Sequence, residues 1–565
     1  MGFESDNRIS RFPKDFIDLK TAERAGIIEI RIGPSAPLIF ETSKYLSFPW
    51  PALSINALEY DSRNVSKGTL FFALPGLHTD GHDYINDAVS RGARLIVHQR
   101  DLTEQNAGYR EGVLYIKVKD SRFAMSSISD SFYNHPSRRL GIIGITGTEG
   151  KSTTVYLVYQ LLKLLGKKAG FISTVKQSDG ITEIWNSEHQ TTPEAPIIHR
   201  LLDDMCRNGV EYAVVESSSH GLSKKTNRLG DVDFDVGVLT NLRHEHLEFH
   251  GTWEQYRHDK AELFRFLDRS PTDHNKKGPA GYFSVASFAV VNADDPSADF
   301  FTAATKQKTY SFSTAGTKAD LSARFIQSKA EGNSCELFEV STGKTHKLED
   351  RLPGAFNVDN VLAAILLISK LLNIELEKII PLVPSLKPVR GRMSPVNRGQ
   401  PFEVIVDYAH TPSSFEAILP PLKERLKGQG RIICLFGSPG ERDTQKRKLQ
   451  GEVAARYSDI IILSDEDPRG EDPMSILEEI AQSCETTSNY QVFTRDENLF
   501  LIPDRPKAVR KAISLARPGD VVLLLGKGHE NSIIYAQGPV DYDETREAET
   551  ALEEAGFVNG TGVNP

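Results

Sequence analysis

The sequence predicts an α/β protein of three domains, in which a central parallel-sheet domain carries a phosphate-binding loop and a Rossmann-like domain follows it. The length of 565 residues is too great for one ordinary hydrophobic core and indicates about three domains. Apolar runs that end in polar residues alternate with helical segments, which is typical of a parallel sheet covered by helices on both faces. The strongest local signal is a glycine-rich loop at residues 144–154, which lies between an apolar run and an amphipathic segment.

This loop indicates that the chain binds a nucleotide triphosphate. Glycines allow backbone N–H groups to turn toward phosphates, and the start of a helix adds positive potential. We expect Lys151 to reach the terminal phosphates and Ser152 to ligate Mg²⁺. The spacing departs from the strict pattern, and its effective core is Thr-Gly-x-x-Gly-Lys-Ser. A glycine-rich turn without a ligand is the alternative, but the flanking segments favour phosphate binding.

The composition argues against several other classes of protein. With 39% hydrophobic and 25% charged residues the chain is globular, and a net charge of −9 provides no basic excess for nucleic-acid binding. The four cysteines form no C-x-x-C pair, which argues against a disulfide framework or a structural zinc site. No apolar run reaches the ~18 residues of a membrane-spanning helix, and the polar N-terminus is unlike a signal peptide. We therefore expect a cytoplasmic protein without membrane insertion. The sequence does not specify an oligomeric state, and a monomer is the expectation.

Changes of pattern along the chain predict the domain boundaries. Residues 1–48 have weak periodicity and several breakers, and we treat them as an N-terminal extension of unknown role. Short strand patterns predict a small α/β domain over residues 49–137. The central domain then covers residues 138–387, and a second α/β pattern predicts the Rossmann-like domain over residues 388–565.

Polar side chains follow the predicted strands of the central domain. Three apolar runs lead into Glu216, Asn241 and Asn292, and ligands of parallel sheets collect at the carboxyl ends of the strands. The carboxylate and hydroxyls of residues 216–222 suit Mg²⁺, although this segment alone is as typical of a capped turn. Residues 240–250 contain three histidines and two glutamates. Beside a phosphate loop they favour Mg²⁺ or Mn²⁺ with one histidine ligand, and zinc is the alternative.

Lys260 lies in an apolar helical stripe. Helical spacing places it on the same face as Tyr256, Leu263 and Phe264. Burial there should lower the pKa of the amine, and a neutral amine reacts with CO₂ to give a carbamate, an oxygen ligand for a hard cation. On spacing alone, a lysine that snorkels over apolar surface is the favoured alternative.

Taken in order, these motifs resemble the Mur ligase family, and within it the MurE branch. The resemblance runs from about residue 58 to the C-terminus and leaves only the N-terminal extension unexplained. Motifs of the family occur in the family's order at residues 61–63, 76–81, 146–152, 191–193, 216–220, 240–241, 260, 292–295, 356–360, 391–393, 407–412 and 526–530. Such an ordered set is far more specific than any one of its members.

The resemblance implies a three-domain ATP-dependent amide ligase of peptidoglycan synthesis. Such a ligase adds a diamino acid (meso-diaminopimelate, lysine or ornithine) to the D-Glu side chain of UDP-N-acetylmuramoyl-L-Ala-D-Glu through an acyl phosphate. ATP and two Mg²⁺ ions are the implied cofactors. Two alternatives are another ligase, such as MurF or folylpolyglutamate synthase, and a non-catalytic MurE-like binding or assembly protein. The motif at residues 61–63 and Arg469 argue against the first, and retention of Lys151, His246 and Lys260 argues against the second.

The resemblance also implies roles for individual residues. Catalytic roles are implied for Lys151, His246 and Lys260. Metal binding is implied for Ser152, Glu216, His246 and Lys260, the last as N6-carboxylysine. ATP contacts are implied for Gly147, Thr148, Gly150, Lys151, Ser152, Thr153, Asn292, Asn357, Asn360, Arg392 and Asp407. The UDP-muramoyl peptide would contact Ser62, Arg63, His78, Thr191, Thr192, Ser219 and Arg228. The incoming amino acid would contact Asp467, Arg469, Gly526 and Glu530.

The chain departs from the family pattern in several places. Glu149 replaces the usual Asn of the loop, residues 245–248 read Glu-His-Leu-Glu instead of Asp-His-Leu-Asp, and roughly two extra residues precede Arg228. In diaminopimelate-adding members the pocket motif is Asp-Asn-Pro-Arg, whereas here it is Glu-Asp-Pro-Arg at residues 466–469. Its arginine matches a distal carboxylate bidentately, but the added Asp467 should repel a carboxylate and attract an ammonium. The motif therefore combines one residue that favours a distal carboxylate, Arg469, with one that favours a distal ammonium, Asp467.

Overall fold

The computed structural model describes residues 9–76, 79–102, 108–186, 190–243, 247–269, 273–278, 281–329, 332–486 and 492–558. It contains three principal sheets of mixed α/β structure. This confirms the predicted fold class of parallel sheets covered by helices. Among these described residues, no helix combines the length and apolar character needed to cross a membrane.

The first sheet has six strands and is built partly from the N-terminal segment. Its elements are α1 (Pro13–Phe16), α2 (Leu19–Arg24), β1 (Ile27–Ile32), β2 (Leu38–Ile39), α3 (Thr42–Leu46), β3 (Ala57–Glu59), β4 (Thr69–Phe72), α4 (Ile85–Arg91), β5 (Ala93–His98), β6 (Leu114–Val118) and α5 (Ser121–Phe132). The strand order is β2-β1-β6-β5-β4-β3, with β3 to β6 parallel and β1 antiparallel to its two neighbours.

The segment that sequence analysis treats as an extension packs into this sheet. Strands β1 and β2 lie in it, and Phe16 and Ile30 are buried in the same core as Leu70 and Ile116. Strand β2 has only two residues, too few for a periodic pattern, whereas residues 28–32 of β1 alternate between isoleucine and a charged residue and carry a strand signal. The domain bounds at residues 49, 138 and 388 stay a prediction.

The central sheet has eleven strands. The elements of this part of the chain are β7 (Gly141–Thr146), α6 (Lys151–Leu164), β8 (Ala169–Ile172), β9 (Lys176–Ser178), β10 (Glu183–Trp185), α7 (Ala195–Arg207), β11 (Tyr212–Glu216), α8 (Ser219–Leu222), β12 (Val236–Leu239), α9 (Leu247–His250), α10 (Trp253–Leu267), β13 (Asp273–Gly278), β14 (Gly281–Ala286), β15 (Phe288–Asn292), α11 (Ala298–Thr302), β16 (Lys308–Ser313), β17 (Leu321–Lys329), β18 (Gly332–Glu339), β19 (Lys344–Glu349), α12 (Asn357–Leu372) and α13 (Leu376–Ile379), of which β13 and β14 lie outside the sheet. The order is β10-β9-β8-β11-β7-β12-β15-β16-β17-β18-β19, and the seven strands from β8 to β17 in this order are parallel.

Helices cover both faces of this parallel core, which explains its continuous apolar strands. Every residue of β7 is buried, with Ile143 and Ile145 in the core under α6 and α12, and Ile142 in the core on the other face. Gly144 allows α10 to approach β7, because a Cβ there would collide with Leu263. The phosphate loop therefore joins a central strand to a buried helix, as predicted.

The third sheet has six strands. The elements of this part of the chain are β20 (Ser394–Pro395), β21 (Glu403–Asp407), α14 (Pro412–Leu426), β22 (Ile432–Phe436), α15 (Gln445–Tyr457), β23 (Ile460–Leu463), α16 (Pro473–Thr486), β24 (Leu499–Leu501), α17 (Arg505–Leu515), β25 (Val521–Leu525), β26 (Ser532–Tyr535), β27 (Gly538–Asp541) and α18 (Glu544–Glu554), of which β26 and β27 lie outside the sheet. The order is β20-β21-β25-β22-β23-β24, and all strands except β20 are parallel. The apolar runs of the second α/β pattern, at residues 404–407, 431–436, 459–464 and 520–525, correspond to β21, β22, β23 and β25. The hairpins β13–β14 and β26–β27 form two further small sheets.

Candidate active site

The loop between β7 and α6 has the backbone geometry of a phosphate cradle. Gly147 and Gly150 have φ values of 151° and 79°, a region that L side chains rarely adopt. A Cβ at Gly147 would collide with Thr240, and a Cβ at Gly150 would collide with Asn360. Both positions therefore require glycine for conformation and for space.

The end of β12 holds this loop in place. The backbone N–H of Thr148 donates to the Asn241 carbonyl at 2.8 Å, and that of Glu149 donates to Asn241 Oδ1 at 3.0 Å. Thr240 Oγ1 donates to the Glu149 carbonyl at 2.6 Å. The sequence predicts Asn241 as a polar strand end, but its contacts with the loop depend on β7 and β12, two strands that only the fold makes neighbours.

Ser152 and Glu216 form a buried oxygen pair at the start of α6. Ser152 Oγ donates to Glu216 Oε1 at 2.9 Å. The same carboxylate accepts from Ser173 Oγ at 2.6 Å and from the backbone N–H and Oγ1 of Thr174 at 2.8 and 2.9 Å. Four donors thus stabilise its charge in a site from which solvent is excluded. Lys151 Nζ donates to the Thr148 carbonyl at 2.7 Å.

Lys260 points inward to the loop. It is 2% exposed, and its Nζ donates to the Gly147 carbonyl at 2.6 Å and lies 4.8 Å from the centroid of the Tyr256 ring. This is the geometry of a buried lysine rather than of one that snorkels to the surface. Its carbamylation stays a prediction.

The histidine-rich motif is only partly described. Residues 244–246, and with them His246, lie outside the described residues. His250 is buried, with Nδ1 2.8 Å from Asp259 Oδ2 and Nε2 3.0 Å from Ser219 Oγ. Burial opposes ionisation of Asp259, but hydrogen bonds from His250, Gln255 and Ser223 outweigh it and lower the pKa of Asp259. Across the described parts of the chain, no cluster of three or more His, Cys, Asp or Glu residues could hold a metal ion.

Two asparagines at the start of α12 lie against the phosphate loop. Asn360 Nδ2 donates to Asn357 Oδ1 at 2.9 Å, and Thr154 Oγ1 donates to Asn360 Oδ1 at 3.1 Å. At the end of β15, Asn292 Oδ1 accepts from the N–H of Asp294 at 3.0 Å. Thr153 lies in the first turn of α6. The central-domain residues predicted to bind ATP, of which Gly147, Thr148, Gly150, Lys151 and Ser152 are described above, thus lie on the loop or on helix and strand ends.

In the third domain, Arg392 and Asp407 are close to Tyr408. The guanidinium of Arg392 lies 4.7 Å from the Tyr408 ring centroid, and its buried Nε has no hydrogen-bond partner among the described residues. Asp407 accepts from the N–H groups of Met393 and Ala409, both at 2.6 Å. Burial raises the pKa of Asp407, while Arg392 and these two bonds oppose the rise.

The residues predicted to hold the UDP-muramoyl peptide lie in two places. In the first domain, Ser62 is buried and the exposed Arg63 binds Asp61, while His78 lies outside the described residues. In the central domain, Thr192 Oγ1 donates to the Glu216 carbonyl at 3.0 Å.

Arg228 supports the Thr192 segment. Its NH1 donates to the Thr192 carbonyl, and its NH2 pairs with Glu194, both at 2.8 Å. Arg228 thus stabilises the conformation of residues 192–194. The ion pair with Glu194 neutralises charge of Arg228, a residue that is predicted from the sequence to contact the substrate.

The amino-acid pocket motif is organised by Lys527. Its fully buried Nζ donates to Asp467 Oδ1 at 2.8 Å and to Glu530 Oε2 at 2.5 Å. Asp467 Oδ1 also accepts from the N–H of Ile534 at 3.0 Å. Although burial disfavours its charged form, the two carboxylates raise the pKa of Lys527. Lys527 therefore neutralises much of the charge of Asp467 inside the protein. The motif at residues 466–469 does not by itself indicate this pairing.

Two groups of this motif keep polar atoms without partners. Arg469 has a φ of 56°, and its buried Nε has no hydrogen-bond partner within the described chain. Glu466 is buried, and its Oε2 likewise has none. Burial raises the pKa of Glu466 to about 7, with Lys446 and Lys527 opposing the rise. Gly526, with a φ of 101°, leaves room for this carboxyl, which would lie 3.3 Å from a Cβ there.

A cavity that contains predicted site residues lies between the central and third domains. It has a volume of about 200 Å³, and its walls include Thr174 and Thr191 from one side and Tyr408, Gly528 and Glu530 from the other. A larger cavity of about 920 Å³ lies between residues 353–356 and 417–427 and contains none of the predicted site residues. The smaller cavity is where the groups around Glu216 and those around Lys527 meet.

Comparisons with known proteins agree with this arrangement. Three family models match: "Mur ligase family, catalytic domain" over residues 54–133, "Mur ligase middle domain" over 145–368, and "Mur ligase, glutamate ligase domain" over 391–528. A UDP-N-acetylmuramyl-tripeptide synthetase of Treponema denticola is 48% identical over 524 residues, which cover 89% of this chain and 95% of the relative. A UDP-N-acetylmuramoyl-L-alanyl-D-glutamate–2,6-diaminopimelate ligase of Geobacillus kaustophilus is 38% identical over 89% of this chain and 96% of the relative. A solved structure of a UDP-N-acetylmuramoyl-L-alanyl-D-glutamate–2,6-diaminopimelate ligase is similar, with a TM-score of 0.58 and 26% identity, covering 90% of this chain and 97% of the other.

Proposed function

The chain belongs to the Mur ligase family, and on that premise we propose that it is an ATP-dependent ligase of peptidoglycan precursor synthesis. It joins a diamino acid to the D-Glu side-chain carboxylate of UDP-N-acetylmuramoyl-L-Ala-D-Glu. The observation that carries this proposal is a continuous path of contacts. Ser152 of the phosphate loop binds Glu216, Glu216 binds Thr174, and Thr174 lines the same cavity as Glu530.

The residues at the loop fit Mg²⁺. Ser152 and Glu216 present oxygen atoms 2.9 Å apart, and hard cations prefer oxygen ligands. Mg²⁺ commonly takes one or two protein carboxylates and completes its shell with water and substrate phosphates. When bound, Mg²⁺ neutralises charge on the transferring phosphoryl group. His246 and Lys260 as N6-carboxylysine would hold a second ion, and both this ion and the carbamate are proposals.

The proposed reaction has two steps, phosphorylation of the D-Glu carboxylate and attack by the amine of the diamino acid. ATP transfers its γ-phosphoryl group to the D-Glu carboxylate, which gives an acyl phosphate and ADP. Lys151, which now binds the Thr148 carbonyl 2.7 Å away, can turn to the phosphate oxygens and stabilise their charge. The α-amine of the diamino acid attacks the acyl carbon, an amide forms, and phosphate leaves with release of a proton. Thr191 and Thr192, beside the cavity, are proposed to hold the dipeptide end of the substrate.

The pocket offers one cation and one carboxyl for the distal end of the amino acid. Arg469 suits a distal carboxylate, as in meso-diaminopimelate, and the free oxygen of Glu466 suits a distal ammonium. Asp467 contributes less than its sequence position implied, because Lys527 pairs with it. Glu530 and Gly526 complete this proposed pocket.

The decisive experiment measures ATP-dependent phosphate release with UDP-N-acetylmuramoyl-L-Ala-D-Glu and, separately, meso-diaminopimelate, L-lysine or L-ornithine. Turnover that requires both the nucleotide-linked dipeptide and a diamino acid supports the proposal. A Lys151→Ala variant is the matched control and should abolish phosphate release. Absence of turnover with all three amino acids would refute the ligase and leave the binding-protein alternative. A monomer in the cytoplasm stays the expectation.

A further inference from the structure

An exposed tryptophan of the central domain contacts the third domain at the wall of the reaction cavity. Trp185 ends β10, at the edge of the central sheet, and is 44% exposed. Lys176, its partner in β9, has its Nζ 4.8 Å from the Trp185 ring centroid. The guanidinium of Arg390, from the segment that leads into the third domain, lies 5.3 Å from the same ring.

Arg390 continues this contact into the third domain. Its NH2 lies 2.6 and 2.7 Å from the two carboxylate oxygens of Asp543. Asp543 caps α18, because its Oδ1 accepts from the N–H of Arg546 at 2.9 Å. Trp185, Arg390 and Asp543 therefore link the edge of the central sheet to the last helix of the chain.

All three residues line the cavity of about 200 Å³ that also holds Thr191 and Glu530. The contact between the two domains, which the Arg390 guanidinium makes with the Trp185 ring, is weak, since a cation over an exposed ring is only modestly attracted. The ion pair of Arg390 with Asp543 lies within the third domain, and its side chains are 36% and 40% exposed. The ion pair within the third domain between Arg505 and Glu544 is, by contrast, fully buried. A weak contact between domains, beside strong contacts within them, suits a joint that opens and closes in each catalytic cycle.

We propose that Trp185, Arg390 and Asp543 form a latch that positions the third domain over the reaction cavity. The inference rests on the proposed function for the identity of that cavity. Trp185 and Arg390 act as positioning residues, because closure of the latch sets the distance between the amino-acid pocket and the phosphate loop. The latch closes when the nucleotide and the UDP-linked dipeptide are bound and opens for product release.

The test combines kinetics with the fluorescence of Trp185. Trp185→Ala and Arg390→Ala should each lower kcat roughly 2- to 5-fold while the KM for ATP stays within about twofold, because a weak contact can shift the closed population by no more than its own free energy. Trp185→Phe should retain most activity, since a phenyl ring still attracts a cation. Arg398→Ala is the matched control, because Arg398 pairs with Glu549 and Glu553 of α18, both at 3.3 Å, and does not line the cavity.

The optical measurement is acrylamide quenching, with the spectrum of Trp185→Phe subtracted so that only Trp185 is followed. Quenching of the wild-type protein should fall when Mg-ADP and UDP-N-acetylmuramoyl-L-Ala-D-Glu are both added, and Arg390→Ala should abolish this change. Unchanged quenching in the wild-type protein, or wild-type kcat in both alanine variants, would overturn the latch. Loss of activity in Arg390→Ala alone would also overturn it, because Arg390 would then act without Trp185. If the wild-type protein turns over none of the three amino acids, the proposed function fails, and the quenching response still decides the latch.

Discussion

Replacing Gly150 by alanine tests the phosphate cradle most directly. At a φ of 79°, an alanine pays the cost of the left-handed conformation, about 1–2 kcal/mol. Its Cβ would also collide with Asn360 Oδ1. Displacing the Asn360 side chain would break its hydrogen bonds to Thr154 and Asn357, each of which contributes about 0.5–1.5 kcal/mol. The free energy of unfolding should therefore fall by about 2–5 kcal/mol in total.

Gly166, at the other end of α6, provides the matched control. Its φ is 75°, and a Cβ there would meet no atom within 4 Å. Gly166→Ala should therefore show only the backbone cost of about 1–2 kcal/mol. The difference between the two variants isolates the crowding at the cradle.

Two assays decide the outcome. Urea denaturation should give a larger loss of stability for Gly150→Ala than for Gly166→Ala. The dissociation constant of Mg-ATP, measured by calorimetry, should rise at least roughly tenfold for Gly150→Ala, which is about 1.4 kcal/mol, and should not change for Gly166→Ala. Equal stability losses together with wild-type ATP affinity would refute the assignment of this loop.

Three further predictions follow from the charged groups of the site. Glu216→Gln keeps the shape of the side chain but removes the charge, and should lower kcat by roughly 100-fold, or about 2.7 kcal/mol. The urea midpoint should also fall, because four donors lose a charged acceptor and the new NH₂ group lies among donors. A near-normal kcat at low Mg²⁺ would contradict this prediction. Lys527→Met leaves Asp467 and Glu530 without their cation, so the free energy of unfolding, measured by denaturant titration, should fall by about 3–5 kcal/mol. Adding Asp467→Asn to this variant should restore part of the lost free energy. Burial raises the pKa of Glu466 from 4.5 to about 7, so the native state binds this proton more tightly, and stability should fall as pH rises between these values. The loss should be at most about 3 kcal/mol and should be absent in Glu466→Gln, which denaturation at pH 5 and 7.5 can check.

The local sequence was sufficient to predict the parallel sheets and the phosphate loop. Strands such as β11 and β22 are continuous apolar runs because helices cover both faces, so their pattern is visible without the fold. Gly147, Gly150, Lys151 and the glutamate of β11 are recognisable because their chemistry depends on residue type and on short spacing. The two N-terminal strands are not predicted: β2 has only two residues and no detectable period, although residues 28–32 of β1 alternate between isoleucine and a charged residue.

Contacts between distant segments were decided by the tertiary structure alone. Thr240 and Asn241 hold a loop 91 and 92 residues away because β7 and β12 are neighbours in the sheet. Lys527 balances Asp467 across 60 residues, which changes the meaning of the Glu-Asp-Pro-Arg motif. Residue type and spacing determined which groups this chain has for phosphate, metal and amino acid. Which of those charges are already neutralised depends on packing between segments, since electrostatic pairing acts over distance in space and not along the chain.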